Sequence, residues 1–450
     1  MILLVSCNMT VDPYPVYPLG LSIVAEAARR EGYSVAVRDM LLYEGKIKRL
    51  IDFINREKPE IIGLSLRNID TIDYYRNISS VSFYKKVVES IKKTTDAPVI
   101  LGGSAFTIYP EEIMEECRAD YGVVGEGEKL FCDLVSMIKK GCPPDSRILR
   151  SNSYIDGQNL IPVKREKVLA DYYFKHGGML NIQTKRGCPH RCVYCSYPNL
   201  EGGEYRFNSV KGVVDEIEKL IHDYSIDFYS ITDSVFNDIE GNYLLIAKEL
   251  VKRGISTSWM CYLRPGKFKE EEVELLKLSG LTAVEWGTDC STDTTLKGMN
   301  KRFFWRDVVE SNDLFAAHGI ANSHFIIFGG PLETTETVLE GLDNLEKLDN
   351  SVIFATVGVR IYPGTPIYKI ALKEGRIKEN QNLLDSCYYF SSGVSPGFIR
   401  EKIVESFGDR DDRVYPPDQH VEKIKAFHKM GYSGPVWNLL LGRKKTRKKK

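Results

Sequence analysis

Three closely spaced cysteines are the residues of this sequence best suited to chemistry. Cys188, Cys192 and Cys195 form a C-x3-C-x2-C pattern that follows a short apolar run beginning at Met179. Three thiolates can bind three irons of a four-iron cluster and leave the fourth iron open to a substrate. A zinc site more often supplies a fourth Cys or His at matching distance, and His190, inside the loop, is badly placed for that role. The spacing therefore predicts an iron–sulfur centre with an open iron.

A set of parallel strands is predicted to position this loop. Six short apolar runs begin just before it and continue along the middle of the chain, at 180–184, 228–233, 256–263, 283–288, 322–329 and 354–362. A helical segment follows each run except the last, which leads into a proline-rich turn. This alternation predicts a partial β/α barrel of six units, whose chemistry belongs at the carboxyl ends of the strands.

The first third of the chain shows a second alternating pattern. Apolar runs at 2–6, 34–37, 60–66, 98–103 and 120–125 are separated by segments with helical periodicity at 19–31, 46–57, 82–94 and 127–140. Short β-branched strands between amphipathic helices are typical of a parallel sheet. We therefore expect a doubly wound, Rossmann-like domain that binds its ligand at the carboxyl ends of its strands.

Polar residues and glycines occupy those predicted strand ends. They are Asn8, Thr10, Ser65, Arg67, Gly102, Gly103, Gly125, Glu126 and Gly127. Glycines there allow the backbone to approach a bulky ligand and to donate N–H groups to phosphate or amide oxygens. No G-x-G-x-x-G sequence follows the first strand, which argues against a dinucleotide site.

Length and composition indicate an ordinary globular protein of two or three domains. The chain has 450 residues, of which 43% are hydrophobic and 27% charged. It contains no stretch of eighteen apolar residues, and its amino terminus lacks the basic flank and cleavage site of a signal peptide, so we expect no transmembrane segment and a cytoplasmic location. The cysteines outside the cluster loop stand singly, unlike a secreted disulfide framework.

These patterns divide the chain into five parts. We predict a ligand-binding domain at 1–145, a linker at 146–178, a partial barrel at 179–375, a C-terminal cap region at 376–441 and a basic, disordered tail at 442–450. The tail carries seven positive charges. We expect it to be a solvated chain end, and the alternative is that it contacts nucleic acid or an anionic surface.

Aromatic residues of the cap region could close the barrel and line a substrate pocket. The candidates are the run Tyr388-Tyr-Phe390 and Trp437, although aromatic residues are more often plain core.

Short motifs in both halves resemble known families. Pro18-Leu-Gly-Leu-Ser-Ile-Val-Ala, Leu101-Gly-Gly-Ser and Gly125-Glu-Gly-Glu are similar to the cobalamin-binding domain that precedes many radical S-adenosylmethionine domains. The middle of the chain resembles the radical S-adenosylmethionine superfamily in its cysteine loop and in Ile231-Thr-Asp233, Leu263-Arg264-Pro, Trp286-Gly-Thr-Asp289, Phe328-Gly-Gly-Pro and Tyr362-Pro-Gly-Thr-Pro366. Together the motifs resemble the cobalamin-dependent radical S-adenosylmethionine enzymes, and within them the methyltransferases.

This resemblance implies three cofactors: a [4Fe-4S] cluster, S-adenosylmethionine and cobalamin. Cys188, Cys192 and Cys195 would bind the cluster, and the polar strand ends of the first domain would bind cobalamin. The expected contacts to S-adenosylmethionine are Tyr194, Asp233, Arg264, Asp289 and Lys301. The D-x-H-x-x-G motif of other cobalamin domains is absent, which implies a cobalt without a protein histidine on its lower face.

Two departures from the family pattern affect the residues expected to contact the ribose. Asp289 stands where the family often has Glu, and the pair of acids after the second strand is reduced to Asp233-Ser234. Which residue contacts the ribose therefore stays open, and the sequence identifies no residue that acts on the substrate.

The function implied by the resemblance is methylation of an unactivated carbon in a lipid or natural-product intermediate. The expected partners are a small or lipid-like substrate and an electron donor such as flavodoxin or ferredoxin, whereas nucleic acid is not expected. A cyclase or rearrangement enzyme that transfers no methyl group is an alternative. A methylthiotransferase, or a corrinoid or redox sensor that binds nucleic acid through the basic tail, are others. Methylthiotransferases carry three further cluster cysteines in their amino-terminal domain, and Cys7, Cys117, Cys132 and Cys142 do not form such a set.

Overall fold

A computed structural model describes residues 1–151 and 153–441. The predicted basic tail at 442–450 lies outside these residues. Within them, no helix is both long and apolar enough to cross a membrane.

The amino-terminal part is built on a parallel sheet of six strands in the order β2-β1-β3-β4-β5-β6. The strands are β1 Ile2–Ser6, β2 Val35–Asp39, β3 Ile61–Ser65, β4 Val99–Gly102, β5 Tyr121–Val124 and β6 Ile148–Arg150. The strand order reverses between β1 and β3, so ligands are expected at the carboxyl ends of these strands.

Helices cover both faces of this sheet. They are α1 Leu19–Arg30, α2 Ile47–Glu57, α3 Val81–Lys92, α4 Ser104–Ile108, α5 Pro110–Cys117 and α6 Gly127–Lys139, with a 3-10 turn at Tyr74–Arg76. β1 shows why the sheet is doubly covered, because Leu3 and Val5 pack into one hydrophobic cluster while Ile2 and Leu4 pack into another. A strand buried on both faces needs a continuous apolar sequence, which Ile2-Leu-Leu-Val supplies.

The segment predicted as a linker contains more regular structure than its polar composition indicated. It provides the sixth strand, β6, followed by a 3-10 turn at Gly157–Asn159 and α7 Lys167–Gly177. β6 has no fully buried residue, which explains why its sequence contains no apolar run that would predict a strand.

The remaining chain forms a parallel sheet of seven strands in the order β17-β14-β13-β12-β11-β10-β7, the curved wall of a partial barrel. Its strands are β7 Leu180–Ile182, β10 Phe228–Ile231, β11 Ser258–Leu263, β12 Leu281–Asp289, β13 Ala321–Phe328, β14 Ser351–Val357 and β17 Arg413–Val414. Six of them are the six predicted strands. The seventh is a two-residue strand from the cap region.

Two short antiparallel pairs flank this sheet: β8 Lys185–Arg186 with β9 Arg206–Phe207, and β15 Val359–Arg360 with β16 Tyr388–Tyr389. The helices are α8 Tyr197–Glu201, α9 Val210–Tyr224, α10 Asn242–Lys252, α11 Glu270–Leu278, α12 Asp293–Gly298, α13 Trp305–Ala317, α14 Thr335–Leu345, α15 Pro366–Lys373, α16 Pro396–Phe407 and α17 Val421–Lys429, with a 3-10 turn at Trp437–Leu440.

The two sheets share hydrophobic core. One cluster joins Leu21 of α1 to Leu180 of β7, and another joins Leu3 of β1 to Leu296 of α12. Apolar packing of this kind fixes the positions of the two sheets relative to each other. A cavity between them can therefore be a preformed binding site.

Candidate active site

The three predicted cluster cysteines lie in one loop between β8 and α8 and line one cavity of about 390 Å³. Cys188 is buried, and Cys192 and Cys195 are partly exposed to this space. Among the described residues, no three His, Cys, Asp or Glu side chains converge on the position of a single metal ion. A cubane needs no such convergence, because each thiolate binds a different iron. The donor set and the space therefore fit an iron–sulfur cluster better than a single ion.

Backbone hydrogen bonds fix this loop at its start and in its middle. The Cys188 N–H donates to the Gly202 carbonyl at 3.0 Å, and the Val193 N–H donates to the Met299 carbonyl at 3.1 Å. The Ile367 N–H of α15 donates to the Val193 carbonyl at 2.8 Å. Three separate parts of the barrel thus hold the cysteines in place.

The loop is also an unfavourable place for charge. Burial raises the pKa of Cys188 and raises that of Cys195 to about 12, so these two thiols keep their protons in the absence of metal. Burial, with the positive charges of Arg264, Lys301 and Arg302, lowers the pKa of His190 to about 4, so that this histidine is neutral near pH 7.

Three of the residues predicted to contact S-adenosylmethionine form one hydrogen-bonded group beside the cluster loop. The Tyr194 hydroxyl donates to Asp289 Oδ2, which also accepts from the Lys301 ammonium group. Lys301 Nζ lies 3.4 Å from the Tyr194 hydroxyl. Although burial opposes it, the Asp289 carboxylate holds the pKa of Lys301 above its usual value.

Arg264 lies next to this group, whereas Asp233 lies apart from it. The Arg264 guanidinium donates to the carbonyls of Lys301 and Arg302, at 2.8 Å each. The fully buried Asp233 carboxylate accepts from the Thr184 N–H at 2.7 Å and pairs with Lys185 Nζ at 3.2 Å. The structure therefore brings four of the five residues together, and their contact with S-adenosylmethionine stays a prediction.

A second cavity, of about 350 Å³, lies where the carboxyl ends of the first sheet face the barrel. Eight of the nine residues predicted to bind cobalamin line it: Asn8, Ser65, Arg67, Gly102, Gly103, Gly125, Glu126 and Gly127. Thr10 is not among the lining residues, and its hydroxyl accepts a hydrogen bond from Asn68 at 2.7 Å. The cavity confirms that the predicted strand ends meet, while the role of each residue towards cobalamin stays a prediction.

Backbone forms part of the wall of this cavity because glycines bear no side chains. Gly103 has a φ of 93°, and a Cβ there would lie 2.5 Å from the Leu66 carbonyl oxygen. No histidine is among the lining residues that the structure describes. The space and its glycine wall fit a large ligand that approaches the backbone closely.

The barrel contributes residues to this same cavity that the sequence reasoning missed. They are Asn181, Gln183, Arg186, Tyr197, Leu200, Glu201 and Thr232. Gln183 and Thr232 directly follow the first two barrel strands, so the rule that ligands bind at the carboxyl ends of strands could have identified these two. The others lie within β7, on β8 or on α8, where that rule gives no signal.

Ion pairs join the two sheets at the cavity edge. Glu126 pairs with Arg186 at 3.1 Å and with Arg206 at 2.6 Å, and Glu128 pairs with Arg186 at 2.6 Å. Burial by itself would raise the pKa of Glu126, but the two arginines lower it. The carboxylate of Glu126, predicted as a ligand contact, is therefore engaged in joining the domains.

The short helix α8 separates the two cavities. Tyr197, Leu200 and Glu201 line the cavity at the first sheet, and Pro198 and Asn199 line the cluster cavity. A helix with its side chains is about 10 Å across, so groups in the two cavities would be near neighbours.

The cap region places one of its predicted aromatic residues inside the barrel. Trp437 is fully buried, and its indole N–H donates to Glu285 Oε1 at 3.0 Å. The Tyr14 hydroxyl donates to the same oxygen at 3.0 Å, and burial raises the pKa of Glu285 to about 7. Trp437 is thus a core residue, which is the more common role of aromatic residues in such regions.

Comparison with known proteins agrees with both halves of this site. The model of the B12 binding domain matches residues 5–135, and the model of the radical SAM superfamily matches residues 182–345. The first match contains the glycine-rich strand ends, and the second begins just before the cysteine loop.

Individual relatives match most of the chain. The tryptophan 2-C-methyltransferase of Streptomyces laurentii is 25% identical over 426 residues, covering 78% of this chain and 71% of that protein. An uncharacterised methyltransferase of Pyrococcus horikoshii is 27% identical over 375 residues, covering 79% and 78%. The structure of the radical S-adenosylmethionine methyltransferase TsrM from Kitasatospora setae, with tryptophan and an S-adenosylmethionine analogue bound, has a TM-score of 0.83 at 23% identity and covers 98% of this chain and 97% of that one.

The chain is therefore an α/β protein in which a cobalamin-binding domain precedes a radical S-adenosylmethionine barrel. It belongs to the cobalamin-dependent radical S-adenosylmethionine enzymes, as its motifs indicated.

Proposed function

We propose that this enzyme transfers a methyl group to an unactivated carbon of a small-molecule substrate. The observation that carries the proposal is the position of α8, with one part lining the cluster cavity and the other lining the cavity of the B12-binding domain. Methyl transfer to carbon needs the methyl donor and the activated carbon in near contact. Two cavities separated by one helix support such a reaction.

The bound cofactors supply the chemistry: an iron–sulfur cluster with S-adenosylmethionine supplies radical initiation, and cobalamin supplies the methyl group. The protein holds and orients them. Cys188, Cys192 and Cys195 would hold the cluster, and the glycine wall of the second cavity would admit the corrinoid.

Tyr194, Arg264, Asp289 and Lys301 are the residues we assign to S-adenosylmethionine. Asp289 presents a carboxylate that can accept from an ammonium group, and Lys301 and Arg264 present cations that can pair with a carboxylate. We leave Asp233 outside this set, because its carboxylate bonds to Thr184 and Lys185 and to no member of the Tyr194–Asp289–Lys301 group that the structure describes.

We expect the substrate to be a lipid or another natural-product intermediate. The support is the range of substrates in the names of relatives, which include a tryptophan methyltransferase and a hopanoid methylase. Inside the barrel, the buried carboxylate of Glu285 is already bonded to Tyr14 and Trp437.

The decisive experiment is anaerobic reconstitution with iron, sulfide and a corrinoid, followed by mass spectrometry of the products formed with S-adenosylmethionine and candidate substrates. A product heavier by one methylene supports methyl transfer. A product of altered structure without that gain identifies a cyclase or rearrangement enzyme. A protein that takes up cluster but no corrinoid contradicts the proposal.

We also propose that an acidic electron-transfer protein, such as a flavodoxin or ferredoxin, docks beside the cluster loop. Arg191, Lys297, Arg302 and Lys369 are exposed there, and Arg191 and Lys369 line the cluster cavity. Within the described residues, none of the four lies in an ion pair of 4.0 Å or shorter. A cationic surface at the entrance to the cluster suits an acidic donor, because charge complementarity accelerates association.

The test compares Lys297→Glu/Arg302→Glu with Lys48→Glu/Arg49→Glu on α2, which reverses two exposed charges away from the cluster loop. The first variant should bind a flavodoxin at least about tenfold more weakly at low salt, yet turn over normally with a chemical reductant. Equal flavodoxin affinity of both variants would locate the donor elsewhere.

The division of the chain at 145, 178, 375 and 441 is retained as part of this proposal. The family models and the two sheets support a first domain and a barrel with α7 between them, while β6 extends the first sheet beyond residue 145 and β17 extends the barrel sheet beyond residue 375. The cytoplasmic location remains a prediction.

A further inference from the structure

The short helix α8 presents two apolar side chains to the cavity at the first sheet. Tyr197 and Leu200 stand three residues apart on α8, so they lie on the same face of the helix, and both line this cavity. Of the seven barrel residues in the cavity wall, Tyr197 is the most exposed, at 41%. A ligand in the cavity can therefore reach its ring.

No hydrophobic core of the protein accounts for this face. Tyr197 and Leu200 belong to none of the hydrophobic clusters formed by the described residues. Protein surrounds the Tyr197 ring although part of it is open to the cavity, and this burial raises the pKa of Tyr197 to about 12, so the side chain is uncharged near pH 7. Apolar surface in the wall of a cavity is typical of a ligand contact.

Tyr197 lies close to both the cluster loop and the first domain. It is the first residue of α8 and stands two residues after Cys195, the last of the cluster cysteines. The positive charge of Arg67, which lines the cavity from the first domain, opposes the rise in the Tyr197 pKa, so the two side chains are near neighbours. The first domain also supplies the glycine wall of this cavity. A flat ligand could approach backbone with one face and the apolar side chains of α8 with the other.

We propose that Tyr197 and Leu200 pack against the corrin of the bound cobalamin, so that the barrel shares in binding this cofactor. Corrin is a flat macrocycle, and aromatic and aliphatic side chains in contact with it remove apolar surface from water. Cobalamin is the occupant because the B12-binding domain lines the same cavity. The inference rests on the proposed function only in requiring cobalamin in this cavity. Because Pro198 and Asn199 of α8 line the cluster cavity, this contact fixes the corrin relative to the cluster loop.

The test is the dissociation constant of hydroxocobalamin for the full, cluster-reconstituted chain, measured by quenching of tryptophan fluorescence. Tyr197→Ala should weaken binding about tenfold and Leu200→Ala about fivefold, because each removes apolar contact area. Tyr197→Phe keeps the ring and should bind within about twofold of the unaltered protein. Tyr432→Ala is the matched control, because Tyr432 is 52% exposed and lies outside both cavities.

Bound iron, measured for each variant, separates a lost contact from a disturbed cluster loop. If Tyr197→Ala loses the cluster, Tyr197→Leu takes its place, since it keeps apolar bulk but not the flat ring, and it should bind about fivefold more weakly. A cluster-containing Ala or Leu variant that binds cobalamin as tightly as the unaltered protein would show the inference to be wrong. If Tyr197→Phe is as weak as Tyr197→Ala, the hydroxyl group makes the contact and the proposed packing of the ring is wrong.

Cobinamide, which contains the corrin but lacks the nucleotide, locates the contact on the cofactor. Tyr197→Ala should weaken cobinamide and cobalamin by the same factor. A loss for cobalamin alone would place α8 against the nucleotide and contradict the corrin contact. An unaltered protein that binds cobalamin but makes no methylated product would contradict the proposed function alone.

Discussion

The two parallel sheets of this protein differ in the residues at the carboxyl ends of their strands, where ligands bind. The first sheet ends in glycines, with Gly102 as the last residue of β4, Gly103 after it and Gly125 after β5, and leaves space bounded by backbone. The barrel strands end in charged side chains that bond one another, as Asp289 and Lys301 do. A ligand of the first sheet enters a cavity that is already open, whereas a ligand of the barrel must compete with an existing ion pair. Variants at the two sites should therefore fail differently.

The largest effect is expected from the cluster loop, where the ligand is held by covalent metal–sulfur bonds. Changing any one of Cys188, Cys192 or Cys195 to Ala should abolish bound iron–sulfur cluster and the cleavage of S-adenosylmethionine to 5′-deoxyadenosine. Corrinoid affinity should change by less than about threefold, because the second cavity has its own walls. Iron content, 5′-deoxyadenosine by mass spectrometry and a corrinoid titration measure the three quantities. Retained 5′-deoxyadenosine formation would contradict the assignment.

Filling the cavity at the first sheet with a side chain should have the next largest effect, on cobalamin affinity. A Cβ at Gly102 would find only the Val123 carbonyl oxygen, at 3.7 Å, so a side chain can be added there without a backbone clash. Gly102→Leu should weaken cobalamin binding about a hundredfold by occupying the cavity, whereas Gly102→Ala should weaken it by less than about fivefold. Cluster content should stay unchanged in both. Equal affinity of the Leu and Ala variants would show that the corrinoid does not approach this strand end.

Variants of the Asp289–Lys301 ion pair can distinguish an effect on protein stability from an effect on S-adenosylmethionine binding. Asp289→Asn leaves the buried Lys301 ammonium group without its carboxylate and should destabilise the protein by about 3 kcal/mol. Asn is suitable here because Asp289 has a φ of 60°, which Asn tolerates. Adding Lys301→Met removes the unpaired charge and should recover most of the loss.

Both variants should nevertheless bind S-adenosylmethionine at least about tenfold more weakly, as equilibrium dialysis would measure. If the double variant regains both stability and affinity, the pair is a structural ion pair and our assignment to S-adenosylmethionine is wrong.

The smallest effect concerns the buried carboxylate inside the barrel. Because burial raises the pKa of Glu285 to about 7, the folded state keeps a proton that the unfolded state loses near the ordinary glutamate pKa of 4.5. Stability from this group is therefore present below about pH 4.5 and is lost as the pH rises towards 7. Glu285→Gln does not titrate and keeps an oxygen for Tyr14 and Trp437. Relative to the unaltered protein, it should gain up to about 3 kcal/mol between pH 5 and pH 8.

Thermal unfolding midpoints of both proteins at the two pH values provide the measurement. A difference between the proteins that is the same at pH 5 and pH 8 would show that Glu285 does not titrate in this range.

Much of the fold was predictable because its signals are local. Continuous apolar runs predicted β1 to β5 and the six main barrel strands, since buried parallel strands require such runs. Helix α6 was expected at 127–140 and occupies Gly127–Lys139. β6 and β17 were not predicted, because they are short edge strands whose residues carry little apolar pattern and whose pairing depends on neighbours distant in sequence.

The sequence by itself determined the class of chemistry. The spacing of Cys188, Cys192 and Cys195 is a property of one loop, and the glycines after the first strands are set by backbone conformation at each turn, so both can be read locally. Only the tertiary structure decided which groups share a cavity. The separation of the cavities by α8 and the ion pair between Glu126 and Arg186 both arise where the two sheets pack together. Such contacts join residues far apart in the chain, and no local pattern encodes them.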